Sequence, residues 1–377
     1  MYGDTRKIMP KIVILIPYCP LPIDSGAKAE MWKHLGLLRE IGDCTILSAS
    51  SRPVGTPWSN KNLAEVRNSG FKVILRENGI LQRLQSIPGL LYGAICTALG
   101  WNRAFGHANP YHRCAFPLKW WQKNTEDADL VVINYSHWAS LPFNGPKAII
   151  LHDLWSDVMW GGASTETHDL STCDLVLVIS SDEREKLMYR GLSNIVCSPP
   201  VSESTDFELT DSVGIVGSNN ELNREGILWL MGGNGSIPEH GVRVYGKLAE
   251  LIPTSESQFE VIGKYEDSSQ PYRDCGIIMI PTASGSGVQI KAIEALSAGC
   301  AIVARKGAMR GIPSSSNAWI EVETPGDMWR EAMGLRRDSA RRQHQGKMAK
   351  LYYKQHLDAH AINEKTRKAY ADLLEVR

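Results

Sequence analysis

Short apolar, β-branched runs alternate with helical segments along the whole chain. Lys11–Ile16, Thr45–Leu47, Phe71–Leu75, Leu130–Ile133, Ala148–Leu151 and Leu175–Ile179 read as strands of the first half. Gly214–Val216, Val242–Tyr245, Phe259–Ile262, Gly276–Ile280 and Ala301–Ala304 read as strands of the second half. These runs are continuously apolar. Strands of that kind, separated by helices, belong to parallel sheets covered on both faces. The stretch Ser198 to Ser212 breaks the pattern with Pro, Ser, Asp and Thr, and reads as a linker.

The expectation is an α/β chain of two Rossmann-like, doubly wound domains, residues 1–200 and 201–355. The tail from Asp338 to Arg377 is helical in composition and strongly basic. Residues 356–377 are expected to form a C-terminal helix packing on the first domain, its outer side reading equally well as a solvated charged face.

Composition narrows the function classes. The 377 residues carry 41 Lys and Arg against 41 Asp and Glu, which gives no reason to expect a nucleic-acid partner. Eight cysteines lie scattered without a CxxC pair, against a zinc ribbon or disulfide framework and for a reduced compartment. No signal peptide and no run of transmembrane length is apparent, so a cytoplasmic protein is expected. The apolar run Ile87 to Trp101, between Arg83 and Arg103, is too short to span a bilayer. It reads as a buried helix or as a membrane-surface element. The surrounding region, Leu81 to Trp121, is rich in Trp, Tyr, Pro and His, which suits sugar rings and lipid interfaces and is also core material.

The run Pro281 to Gly299 (PTASGSGVQIKAIEALSAG) carries the most chemistry. It reads as a strand end, a Gly/Ser loop and a helix. Loop glycines let the backbone turn tightly around a ligand, and a helix start suits a phosphate. Lys291 and Glu294 share a face of that helix. A cation and a carboxylate behind a phosphate cradle fit a nucleoside diphosphate, Lys291 toward the phosphates and Glu294 toward the ribose hydroxyls.

Other strand ends are candidates too. Ser25-Gly26 enters the helix expected from about Ala27 to Ile41, at a ligand-facing edge or in a plain tight turn. His152-Asp153 follows a strand directly, where His152 either meets a sugar hydroxyl or is structural. His137 makes a weaker version of the same case. Ser180 to Glu183 reads as helix capping. Gly217-Ser218 opens the second domain and would let the backbone approach a phosphate.

With these parts in this order, the chain resembles bacterial glycosyltransferases of the GT-B fold, specifically the large family-4-like retaining group. The resemblance spans nearly the whole chain. It rests on P-x-P-x-D-S-G before a helix, a strand ending in His-Asp, the strand from Asp174 to Ser180, V-G-S at Gly217, and G-S-G-V-x-I-K-x-x-E-A-L-x-A-G. The resemblance implies two domains facing a central cleft, and transfer of a sugar from a nucleotide sugar, UDP- or GDP-linked, to a glycan or lipid-linked acceptor. It implies that Glu294 holds the ribose. The loop Ser284, Gly285, Ser286, Gly287 and Val288 would hold the diphosphate, with His152 near the reacting centre and Ser25-Gly26 beside the phosphates. It also implies a place in cell-surface polysaccharide synthesis, with peripheral contact at the inner membrane face. Departures are Ser286 for the first glutamate of E-x7-E, and Ser218 and Asn223 where Arg and Lys are frequent, with Arg224 adjacent. Lys291 then becomes the main phosphate cation. No cofactor and no metal are expected, since no D-x-D motif is evident. A nucleotide-sugar 2-epimerase of the same fold and a non-catalytic nucleotide-sugar-binding subunit are the alternatives. A dehydrogenase is disfavoured because the first strand leads into Pro and Asp rather than G-x-G-x-x-G.

Overall fold

The computed structural model describes residues 9–23, 25–49, 57–76, 116–158, 163–232, 241–253, 258–265, 267–283, 287–315 and 317–375, with the single positions 91, 256 and 285. Apart from position 91, the run Ile87 to Trp101 lies outside these residues, as does most of the aromatic region around it. The chain forms two compact units: Met1–Ser198 with Asn363–Arg377, and Pro199–Ile362.

The first unit is built on a parallel sheet of β1 (Lys11–Leu15), β2 (Asp43–Ala49), β3 (Lys72–Arg76), β4 (Leu130–Asn134), β5 (Lys147–Ile150), β6 (Leu175–Val178) and β7 (Ile195–Cys197). Its order is β3-β2-β1-β4-β5-β6-β7. Successive side chains leave opposite faces of a strand, so a continuously apolar strand feeds two cores. Ile12, Ile14, Ile46, Leu130 and Val132 pack against Met31, Leu35 and Leu38 of the helix Gly26–Ile41. Val13, Leu15, Leu47, Val131 and Ile133 face the other way, onto Trp121 and Trp138.

The second unit repeats the plan with β8 (Val213–Val216), β9 (Val242–Tyr245), β10 (Phe259–Gly263), β11 (Ile277–Ile280), β12 (Ala301–Arg305) and β13 (Ile320–Val322), in the order β10-β9-β8-β11-β12-β13. Ile278, Ile280 and Ile302 pack on Ile293 and Leu296 of the helix Ile290–Ala298. Ile277, Met279 and Val303 pack on Met328 and Trp329. The eleven strands expected from apolar runs are all present. The edge strands β7 and β13, three residues each, are additional. Each pairs on one side only and buries little, so neither leaves a long apolar signature.

The basic tail forms two helices, Ser339–His356 and Ala359–Glu375. From Asn363 onward the last helix is part of the first unit. Tyr370 is fully buried there and its hydroxyl pairs with His34 Nδ1 at 2.9 Å, while Thr366 Oγ1 donates to Ser198 Oγ at 2.9 Å.

Candidate functional site

Parallel strands all end at the same edge of a sheet, so the loops that follow them gather there. In the second unit, β11 ends at Ile280 and the chain runs through Pro281–Gln289 into the helix Ile290–Ala298. Gln289 precedes the helix but does not cap it with its side chain. Its amide instead donates to Thr282 O at 2.6 Å and Ala308 O at 2.8 Å, tying this loop to the turn after β12. Gly285 has φ +122°, a conformation that disfavours any side chain. A Cβ there would stand 2.7 Å from Arg310 Nη2 and 2.8 Å from Leu222 Cδ1. Gly287 is also left-handed, at φ +65°, and Val288 packs partly buried on the core. Ser284 and Ser286 lie outside the described residues.

Lys291 stands in the first turn of the helix. Its Nζ donates to Asn223 Oδ1 at 2.7 Å and Thr282 Oγ1 at 3.3 Å, and Thr282 Oγ1 donates to Asn223 Oδ1 at 3.0 Å. Asn223 is buried, and its amide donates to Ser218 O at 3.0 Å and Ser218 Oγ at 3.3 Å. Asn220 caps the helix Glu221–Met231, its Oδ1 accepting from Asn223 N at 2.8 Å. One asparagine thus joins the loop after β8, the loop after β11 and the lysine. Gly226 on the same helix lets the two loops close up: a Cβ there would lie 3.0 Å from Pro281 C and Thr282 N. Burial, and then the positive charge of Arg310, brings the Lys291 amine down to about 7.

Glu294 follows one turn later. The Tyr272 hydroxyl donates to its Oε2 at 2.6 Å. Burial pushes this carboxyl above its ordinary range, and the tyrosine's hydrogen bond partly offsets that. Lys291, Gly217 and Ser218 therefore meet around Asn223, and Glu294 borders them on the same helix. Arg224 is exposed on the helix Glu221–Met231, one residue past Asn223.

The first unit presents a different edge. His152 follows β5 and is buried, with Nε2 2.9 Å from Asn134 Oδ1. Asn134 Nδ2 donates to the Tyr18 hydroxyl at 3.1 Å. A carbonyl oxygen only accepts, so His152 carries its proton on Nε2. Burial lowers its pKa to about 4, which keeps the ring neutral at physiological pH. Tyr135, at φ 72°, stands against His152 with ring centroids 5.0 Å apart. Burial and the neighbouring Asp153 push its phenol up to about 12. His137 is buried edge-on against Trp155 at 4.2 Å. Glu166 organises the turn: Oε1 accepts from Ser136 Oγ at 2.9 Å and Trp155 N at 3.0 Å, and Oε2 from Ser156 N at 3.1 Å. Ser25 is exposed at the start of the helix Gly26–Ile41 and makes no side-chain cap. Ser180 does cap, its Oγ accepting from Glu183 N at 3.1 Å, as its sequence predicts.

Sequence reasoning passed over Thr282, Tyr272, Tyr135 and Arg310, and met Asn223 only as a missing cation. Thr282, Tyr135 and Arg310 lie in loops after strands and Tyr272 in the helix Gln270–Asp274; their partners were not visible, because each contact joins one element or loop to another. Among the described residues, no three His, Cys, Asp or Glu side chains gather in a metal-binding group. Likewise, no described helix is long and apolar enough to cross a membrane. The six described cysteines are free.

No family model matches the chain, and no curated protein matches it by sequence. Solved structures do resemble it. HepE of Anabaena, crystallised with UDP-glucose, is 13% identical over 96% of this chain and 99% of its own, with a TM-score of 0.64. TarM of S. aureus, in complex with fondaparinux, alpha-GlcNAc-glycerol and UDP, is 11% identical over 97% and 100%, with a TM-score of 0.63. The lipopolysaccharide outer core galactosyltransferase WaaB is 14% identical over 97% and 99%, with a TM-score of 0.57. Identity this low speaks for architecture alone. The chain has the GT-B fold of these glycosyltransferases.

Proposed function

We propose that this protein is a retaining glycosyltransferase that moves a sugar from a UDP- or GDP-linked donor to a glycan or lipid-linked acceptor. The neighbours crystallised with UDP or UDP-glucose support a donor of this kind. The observation that carries the reading is the Lys291 amine, held by Asn223 and Thr282 directly behind a left-handed glycine loop.

Departure of a nucleoside diphosphate builds negative charge on its terminal phosphate. A positioned ammonium and backbone N–H groups stabilise that charge without reorganising at the moment of reaction. Lys291 is close to half-protonated in the free protein near pH 7, and an arriving diphosphate favours its charged form. Glu294, oriented by Tyr272, accepts from the ribose hydroxyls. His152, neutral and fixed by Asn134, meets sugar hydroxyls in the first unit, next to Asp153. Gly217, Ser218 and Arg224 flank the phosphates within the second unit. Front-face attack, with the leaving phosphate taking the acceptor proton, needs no protein nucleophile and no divalent metal. The enzyme works in the cytoplasm, at the inner face of the membrane, on cell-surface polysaccharide.

Purified protein is incubated with UDP- and GDP-sugars, with and without a chelator, and followed for donor hydrolysis and transfer. Activity that Lys291→Ala leaves undiminished would overturn the assignment. An epimerised donor, formed with no acceptor present, would replace transfer by epimerisation.

A further inference from the structure

The turn after β12 brings a second cation to the glycine loop. Arg310 Nη1 donates to Ala283 O at 3.4 Å, and its Nη2 lies 2.7 Å from where a Cβ on Gly285 would stand. The guanidinium therefore fills the space that a side chain at position 285 would need. Gln289 ties the two segments through Thr282 O and Ala308 O, so the arginine is carried on a braced turn. Arg310 is only partly buried, and its charge is felt at the Lys291 amine. Two cations thus converge on one loop from different segments, although like charges repel. Such an arrangement is stabilised by a multiply charged anion between them.

The helix Ile290–Ala298 sets the order of the groups. Glu294 lies one turn in, Lys291 lies in the first turn, and Gly285 with Arg310 lies beyond the N-terminus. A nucleotide with its ribose at Glu294 places its first phosphate by Lys291 and its second by Gly285. We infer that Arg310 is the terminal-phosphate cation of the donor site, and that the pair Lys291 and Arg310 selects nucleoside diphosphate donors over monophosphate-linked ones. This inference rests on the nucleotide-sugar reading above. A planar guanidinium offers two parallel donors to phosphate oxygens, which lysine does not.

The test is calorimetric binding of UDP, GDP and the matching monophosphates to the full chain and to Arg310→Ala, Arg310→Gln and Lys291→Ala. Wild-type protein that binds neither diphosphate refutes the nucleotide-sugar reading itself. Given wild-type binding, Arg310→Ala is expected to weaken the diphosphate roughly 10- to 100-fold. The monophosphate should change by no more than about threefold, since it carries no second phosphate. Lys291→Ala weakens both. Equal losses for the two nucleotides, or none, overturn the role of Arg310 and leave the donor site standing. Should Arg310→Ala unfold, Arg310→Gln carries the test: it removes the charge while keeping much of the side chain's length, and a diphosphate-to-monophosphate preference as large as wild type overturns the inference.

Discussion

The two sheets share a plan and differ at their carboxyl edges. The second unit gathers Lys291, Arg310, a buried asparagine and two left-handed glycines around one loop. The first gathers His152, Asn134, Tyr18 and Tyr135, of which none carries a charge at neutral pH. Burial acts on both edges, yet with opposite consequence. It brings an amine to about 7, where an arriving anion can recharge it, and it takes an imidazole to about 4, where it stays neutral. One edge is built for a leaving anion, the other for neutral hydroxyl groups and ring faces.

The comparison breaks most sharply at Lys291. Its replacement by alanine should remove about 2–4 kcal/mol of transition-state stabilisation, read from kcat/KM. His152→Ala should cost about 1–3 kcal/mol in kcat/KM with nucleotide affinity retained, and stranding the buried Asn134 oxygen should separately lower stability. If His152→Ala weakened nucleotide binding as much as Lys291→Ala does, the division of labour would be wrong. Glu294→Gln keeps the shape and loses the stronger acceptor; about 1 kcal/mol of diphosphate affinity should go with it.

A pH series separates the edges without mutation. The diphosphate binds the charged amine, and in the free protein that amine deprotonates near pH 7. Affinity should therefore fall as pH rises above 7, by at most about tenfold per unit, and level off below it. His152 charges only below about pH 4, so it should add no inflection between pH 5 and 8. An inflection that Lys291→Ala leaves in place would show that another group controls binding. Tyr370→Phe serves as a control away from both edges. It removes the partner of the buried His34 Nδ1 and should lower stability by about 1–3 kcal/mol, leaving nucleotide affinity unchanged.

The architecture was legible because it is written locally. Eleven apolar runs became strands, nine of them interior to their sheets, where a strand buried on both faces must be apolar throughout. The glycine loop and the helix behind it were legible too, because turn chemistry and helical spacing are short-range. The site was legible only in part. Lys291 and Glu294 are readable as neighbours on one helix face, yet they take different partners: Asn223 and Thr282 for one, Tyr272 for the other. Read alone, Asn223 marks a missing cation; in the fold it is the joint of the cluster.

The sequence by itself determined two parallel α/β sheets and the segment in which phosphate chemistry is to be sought. Apolar continuity and glycine placement act within a few residues, so one dimension is enough to show them. The tertiary structure alone decided which side chains share a site. Arg310 reaches the loop through the turn after the next strand, and His152 is held through a residue of β4. Parallel strands bring distant segments to one edge, and hydrogen bonds and charges act on distance in space, not on separation along the chain.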